Sequence, residues 1–240
     1  MKAFTSTTMT KEELLKELKI HQKADDFIKG SYDTIVNGSF KGCAVGCSLE
    51  SLNRKKGLKV GYNDHYAYEP NFGIPMWLAK MEDRIFEGLP TEDAKKWPVK
   101  FTAAINKGAD LNKIFKPLLV IICESTLTTF DHAKYPASAI AINVVIKLLK
   151  NKKTTKQQFL DARKEARAYA AYAAADAADD ADAADAAAAA YAAYAAYAAA
   201  DAAAYAADAA ADAAYARSTA KFKYYKILSQ ALIKLIKECK

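Results

Sequence analysis

The sequence predicts an all-α protein, and three observations predict it. Every Gly lies at or before Gly108 and every Pro at or before Pro136, so the last 104 residues contain neither helix breaker. Residues 166–217 consist of 35 Ala, eight Asp, seven Tyr and two Arg, the first of these being the strongest helix former. No segment of the 240 residues shows sustained period-two alternation of apolar and polar side chains. The expected architecture is a helical bundle in which a loop-rich amino-terminal helical region packs on a long Ala-rich helical hairpin. The only candidate for extended structure is GLKVGYND, which has the makings of a short hairpin.

The elements follow in order. Residues 1–117 form a region of helices and loops punctuated by Gly and Pro. Within it, WLAKMEDRIFEGL reads as a helix opened by Pro75 and closed at Gly88. Residues 118–240 form the second region. It begins with two helices separated by TTFDHAKYP, with Pro136 at the first turn of the second. The Ala-rich block follows, and then a basic tail in which Phe222, Tyr225, Leu232, Leu235 and Ile236 recur at helical spacing.

Charge is unevenly spread. The net +7 combines +8 over residues 1–165, −6 over residues 166–217 and +5 over residues 218–240. There is no run of large apolar residues long enough to span a bilayer, and the amino terminus lacks the apolar core of a signal peptide. Four cysteines without a secretion signal point to reduced thiols and a cytoplasmic location. The basic front is compatible with an anionic ligand such as a nucleotide. Long nucleic acid is disfavoured, because no recognised binding module accompanies the basic residues and the Ala block is acidic.

On a helical projection of the Ala block, Tyr191, Tyr194, Tyr197, Asp201, Tyr205 and Asp208 share an arc of about 120° with most of the other Tyr and Asp residues. Asp182 and Asp185 fall out of phase near the middle, which favours two antiparallel helices over a single rod of roughly 78 Å. Ala faces allow close approach of helix axes. The Tyr/Asp stripe is then either a solvated face or a binding surface for a basic partner, Tyr giving stiff contact area with a hydroxyl.

The polar groups suited to chemistry lie in the first 90 residues. His21 and Asp25 are four apart, as are His65 and Glu69, and Glu82 and Asp83 follow. Imidazole and carboxylate at this spacing on separate helices is how bundles assemble metal sites, so His21, Asp25, His65 and Glu69 are the candidate ligands of a divalent ion. No cofactor is required by the sequence, and the plainer reading makes these groups surface pairs with one buried, hydrogen-bonded His. Lys41, His65, Tyr68, Glu69, Glu82 and Asp83 are the candidate ligand-binding set. In GCAVGC, Cys43 and Cys47 are four apart, which is wrong for a zinc knuckle, and the segment lacks the Gly-Lys-Ser/Thr end of a P-loop. Its small residues are expected to let a helix press against a neighbour, with the thiols as small hydrophobes.

Two resemblances add to this. FDHAKYP followed by AI, from Phe130 to Ile140, with the Ala-rich helices after it, resembles bacterial immunity proteins of toxin systems. The first region is similar to bacterial and phage proteins that share, in order, Gly42 to Cys47, His65, Tyr68 with Glu69, Gly73 to Pro75, Glu82 with Asp83, Phe86 to Pro90, Trp97 with Pro98, and Gly108 to Asp110. The pattern has Leu where this chain has Met81. These resemblances imply a non-enzymatic immunity or anti-defence protein that neutralises a toxin, a defence protein or a small anionic nucleotide. Two other readings stand beside it: a metal-dependent, phosphodiesterase-like hydrolase built on the amino-terminal His, Asp and Glu groups, and a structural protein whose Ala helices drive homo-oligomeric assembly.

Overall fold

A computed structural model describes residues 2–128, 132–133, 136–155, 157–162, 164 and 216–239. The described chain is mostly helical, with one two-stranded antiparallel ribbon. It divides into two compact units: Met1–Ile114 with Tyr225–Lys240, and Phe115–Tyr224. The Tyr/Asp stripe, including Tyr191, Tyr194, Tyr197, Asp201, Tyr205 and Asp208, lies outside the described residues, as does the choice between one Ala-rich helix and two.

In the first unit, α1 (Lys11–Ala24) starts where Thr10 and Glu13 cap each other. The Glu13 N–H donates to Thr10 Oγ1 at 3.2 Å and the Thr10 N–H to Glu13 Oε2 at 2.8 Å. It ends at Asp25, whose left-handed φ of 57° turns the chain away. A ribbon of β1 (Thr34–Val36) and β2 (Ser39–Lys41) follows, and then α2 (Ala44–Lys56), α3 (Tyr68–Phe72), α4 (Met76–Gly88), α5 (Thr91–Ala94) and α6 (Trp97–Ala104). Pro75 and Gly88 bound α4 as its sequence suggests. Leu14, Leu18, Leu49, Leu52, Phe72, Leu78, Ile85 and Phe101 are among the fully buried residues that make its core.

The ribbon is a correction to the sequence reading. Extended structure falls on residues 34–41, while GLKVGYND is loop and turn. Its cause is Asn37-Gly38: both adopt positive φ, 52° and 77°, which a two-residue hairpin turn of matching twist requires.

The basic tail is a second difference. The last described helix, α9 (Ala216–Glu238), contributes residues 225–238 to the first unit, rather than belonging wholly with residues 118–240. Its buried stripe is Tyr225, Leu228, Leu232 and Ile236, whereas Phe222 is exposed. Gly88 makes room for Tyr225, since a Cβ there would lie 2.2 Å from the ring. The end is held by polar contacts: Asn106 Nδ2 donates to the carbonyl of Lys237 at 3.2 Å, and Cys239 Sγ to that of Asp110 at 3.1 Å.

In the second unit, α7 (Phe115–Leu127) and α8 (Pro136–Lys150) bury Cys123, Ile142, Val145 and Ile146, with Val120, Leu127 and Leu149 beside them. Burial raises the Cys123 thiol to about 11, so it packs as a small hydrophobe. No described helix is long and apolar enough to cross a membrane.

Candidate functional site

Two polar clusters are folded into the first unit. In the first, His21 is 4% exposed and held on both ring nitrogens. Asp26 Oδ2 lies 2.9 Å from Nδ1, while Glu50 Oε2 and Ser51 Oγ lie 3.0 and 3.1 Å from Nε2. Burial alone would lower the imidazole pKa, but the bonds to Glu50 and Asp26 outweigh it and raise the pKa above its ordinary value. The network continues outward. Arg54 donates to Glu50 Oε1 at 2.9 Å and to Glu17 Oε2 at 2.5 Å, and Lys55 reaches Glu17 Oε1 at 3.0 Å.

The partner of His21 is therefore Asp26, where the i, i+4 rule chose Asp25. The left-handed turn at Asp25 explains it, because α1 has ended there. Asp25 instead faces outward and pairs with Lys95 Nζ at 2.7 Å. Its carbonyl takes the Lys41 ammonium at 2.6 Å, so Lys41 is engaged at the end of α1.

The second cluster surrounds Asp83 on α4. His65 Nε2 lies 3.5 Å from Asp83 Oδ2, and its Nδ1 is 3.0 Å from the carbonyl of Asn63. Asp64 fixes the short turn bearing His65 by accepting the Tyr66 N–H at 3.0 Å. The Tyr32 ring stands edge-on to His65, with centroids 5.8 Å apart. Cys43 caps α2, its Sγ accepting the Gly46 N–H at 3.4 Å. Burial first, and the adjacent Asp83 carboxylate second, push both the Cys43 thiol and the Tyr32 phenol far above their ordinary pKa values. Both therefore keep their protons, and neither is a nucleophile as it stands. Glu87, one turn beyond Asp83, accepts the Gly30 N–H on both carboxylate oxygens, at 3.0 and 3.1 Å.

Behind Asp83 lie Glu82 and Tyr68, 1% exposed each. Neither the Glu82 carboxylate oxygens nor the Tyr68 hydroxyl completes a regular hydrogen bond within the protein, and Asp83 Oδ1 is likewise buried without a partner. Burial raises the Glu82 pKa well above the usual carboxylate value, with the nearby Tyr68 hydroxyl opposing the rise and Asp83 adding to it. Folding thus shifts Glu82 toward its protonated form. A raised acid pKa costs stability at pH values above the unfolded value, where folding must take up a proton. Glu82→Gln is accordingly expected to raise the melting temperature at pH 7 and to leave it nearly unchanged at pH 4. Thermal unfolding of both chains at the two pH values checks this.

Of the candidate ligand-binding residues, His65, Tyr68, Glu82 and Asp83 gather here, while Lys41 turns to Asp25 and half-exposed Glu69 stands outside the Asp83–His65 contact. The candidate metal ligands do not gather. Among the described residues, the set of three or more His, Cys, Asp or Glu with ligand atoms within 4.8 Å of one another is Cys43, Asp83 and Glu87, in place of His21, Asp25, His65 and Glu69. His21 is committed to Asp26 and Glu50, and His65 turns toward Asp83 instead of Glu69. Sequence reading missed Tyr32, Cys43 as a polar participant, and Glu87. The spacing of Asp83 and Glu87, four apart on one helix, was the signal available for the last.

No family model matches this chain, and neither does any curated protein or solved structure.

Proposed function

We propose that this chain is a non-enzymatic immunity or anti-defence protein that neutralises a protein partner, and that it meets that partner through the ribbon at residues 34–41. One observation carries the reading: Ile35 and Val36 are 67% and 40% exposed. Successive strand residues face opposite sides, so Ile35 and Val36 offer apolar surface on the two faces of the ribbon, while Phe40, paired with Ile35, packs against Tyr62. Such a strand offers a partner both main-chain groups and side-chain anchors. The ordered motifs from Gly42 to Asp110 support the conflict setting. The protonated thiols and the mutual pairing of His21, Asp26, Glu50 and Arg54 favour binding over catalysis. An anionic nucleotide is the weaker ligand for the same unit, because Asp83 and Glu87 would repel it and Lys41 is already occupied.

The test is protection of bacteria challenged with toxins, and of phage plated on strains carrying defence systems, by the native chain and by the Ile35→Asp, Val36→Asp double variant. The native chain is expected to protect in at least one pairing. Losing two apolar anchors removes about 3 kcal/mol or more of contact, which is over ~100-fold in affinity. The double variant should therefore fail while keeping the native circular dichroism. Protection in no pairing, or equal protection by the double variant, overturns the proposal.

A further inference from the structure

The Asp83 cluster has the composition and surroundings of a metal site, and this inference does not depend on what the ribbon contacts. Cys43, Asp83 and Glu87 bring a sulfur and two carboxylate oxygens within 4.8 Å of one another. His65 adds a nitrogen 3.5 Å from Asp83 Oδ2. Ligands at 2.0–2.3 Å from a tetrahedral ion stand roughly 3.5 Å apart, so the His65–Asp83 pair already has the separation that shared coordination needs. The ligand atoms of Cys43, Asp83 and Glu87 lie within 4.8 Å of one another, so coordination requires side-chain rotation to draw them and His65 closer.

Three independent features point to a cation there. Asp83 is 8% exposed, yet its Oδ1 has no hydrogen-bond partner within the protein, which leaves a buried acceptor unsatisfied. His65 is oriented from behind: an Nδ1–H donating to the Asn63 carbonyl leaves the Nε2 lone pair facing Asp83, the outer-shell arrangement that metal-binding imidazoles use. Glu87 is fixed differently, both of its carboxylate oxygens accepting the Gly30 N–H, so that its remaining lone pairs are the ones that would meet the ion.

We propose that Cys43, His65, Asp83 and Glu87 bind one zinc-class divalent ion. A thiolate and an imidazole select zinc or cobalt over magnesium and calcium, which take oxygen ligands. On binding, the Cys43 S–H proton is released to solvent and the sulfur bonds to the ion without any change of oxidation state. The Gly46 N–H at the start of α2 then faces a thiolate, which it stabilises better than a thiol. The ion ties the first turn of α2, directly after β2, to α4 and to the turn at His65. Its effect is to pin the base of the ribbon.

The experiment uses the full-length chain, stripped with a chelator and titrated with cobalt(II) and then zinc(II). One equivalent of cobalt is expected to give a thiolate-to-metal charge-transfer band with tetrahedral visible bands, which zinc then displaces. Zinc should also shield Cys43 from a thiol reagent. Cys43→Ser should abolish the charge-transfer band. Asp83→Asn, nearly isosteric, should weaken zinc binding beyond the roughly 10–100-fold that loss of an outer-shell partner costs. Glu69→Gln should bind as the native chain does. Absence of cobalt and zinc binding by the native chain overturns the proposal. So does zinc binding by Asp83→Asn with native affinity, a result that stands even where Cys43→Ser fails to fold.

Discussion

Replacing His21 with alanine is expected to cost about 3–5 kcal/mol of stability, the range for breaking a buried ion pair by removing one partner. The imidazole bridges Asp26 and Glu50, which approach its two nitrogens at 2.9 and 3.0 Å. Both carboxylates have side chains about 15% exposed, so water replaces the lost partner poorly. Glu50 keeps Arg54, whereas Asp26 loses the imidazole that its carboxylate meets at 2.9 Å. The pH dependence identifies the mechanism. A His pKa raised by folding contributes stability that is complete below the unfolded value, near 6.5, and is lost as pH rises through the folded value. Glu50, lowered against its burial by His21 and Arg54, acts in the opposite sense and loses its contribution under acid. Denaturant unfolding of the native chain should therefore show stability falling as pH rises above about 6.5, and His21→Ala should show a shallower decline, the remainder coming from Glu82, whose raised pKa acts in the same sense. A loss under about 1 kcal/mol, in the range of an exposed pair, or an unaltered slope, would show the network to be incidental.

Gly46→Ala is expected to be at least as damaging. A Cβ at Gly46 would stand 1.7 Å from the Tyr32 carbonyl oxygen and 2.7 Å from its carbon, so backbone meets backbone with no side chain able to yield. Overpacking typically costs about 1–3 kcal/mol, and an unrelieved main-chain clash belongs above that range. Gly57→Ala is the instructive contrast. That position has φ of +66° but nothing within 4 Å of a Cβ, so its cost is the roughly 1–2 kcal/mol of left-handed strain alone. Unfolding of the two variants side by side separates close approach from backbone conformation.

Much of the helical frame was legible in the chain because helix ends are local chemistry: Pro75 and Gly88 bound α4, and Pro136 opens α8. The small residues of GCAVGC imply a close-packing surface, and Gly42 and Gly46 do lie against Tyr32. The ribbon escaped because its strands have three residues each, too few for alternation to register, although Asn37-Gly38 is a hairpin signal by itself. Asp26 was passed over for Asp25 because helical spacing was extended one residue beyond the true end of α1. Long-range choices were the least legible. Neither the docking of residues 225–238 in the first unit nor the meeting of Cys43 with Asp83 and Glu87 has a local signature.

The first unit clamps the base of the ribbon while leaving the apolar side chains next to its tip exposed. The Cys43 N–H donates to the Ser31 carbonyl at 2.8 Å, the Gly42 N–H to that of Asp26 at 3.0 Å, and the Ile28 N–H to that of Gly42 at 2.9 Å. Amide hydrogen exchange on the native chain and on Gly46→Ala measures this directly. In the native chain these three amides are expected to exchange as slowly as those in the middle of α1, with residues 37–38 far faster; in Gly46→Ala the three should accelerate before α1 does. Native-chain exchange at Gly42 and Cys43 as fast as at the ribbon tip would contradict the clamp.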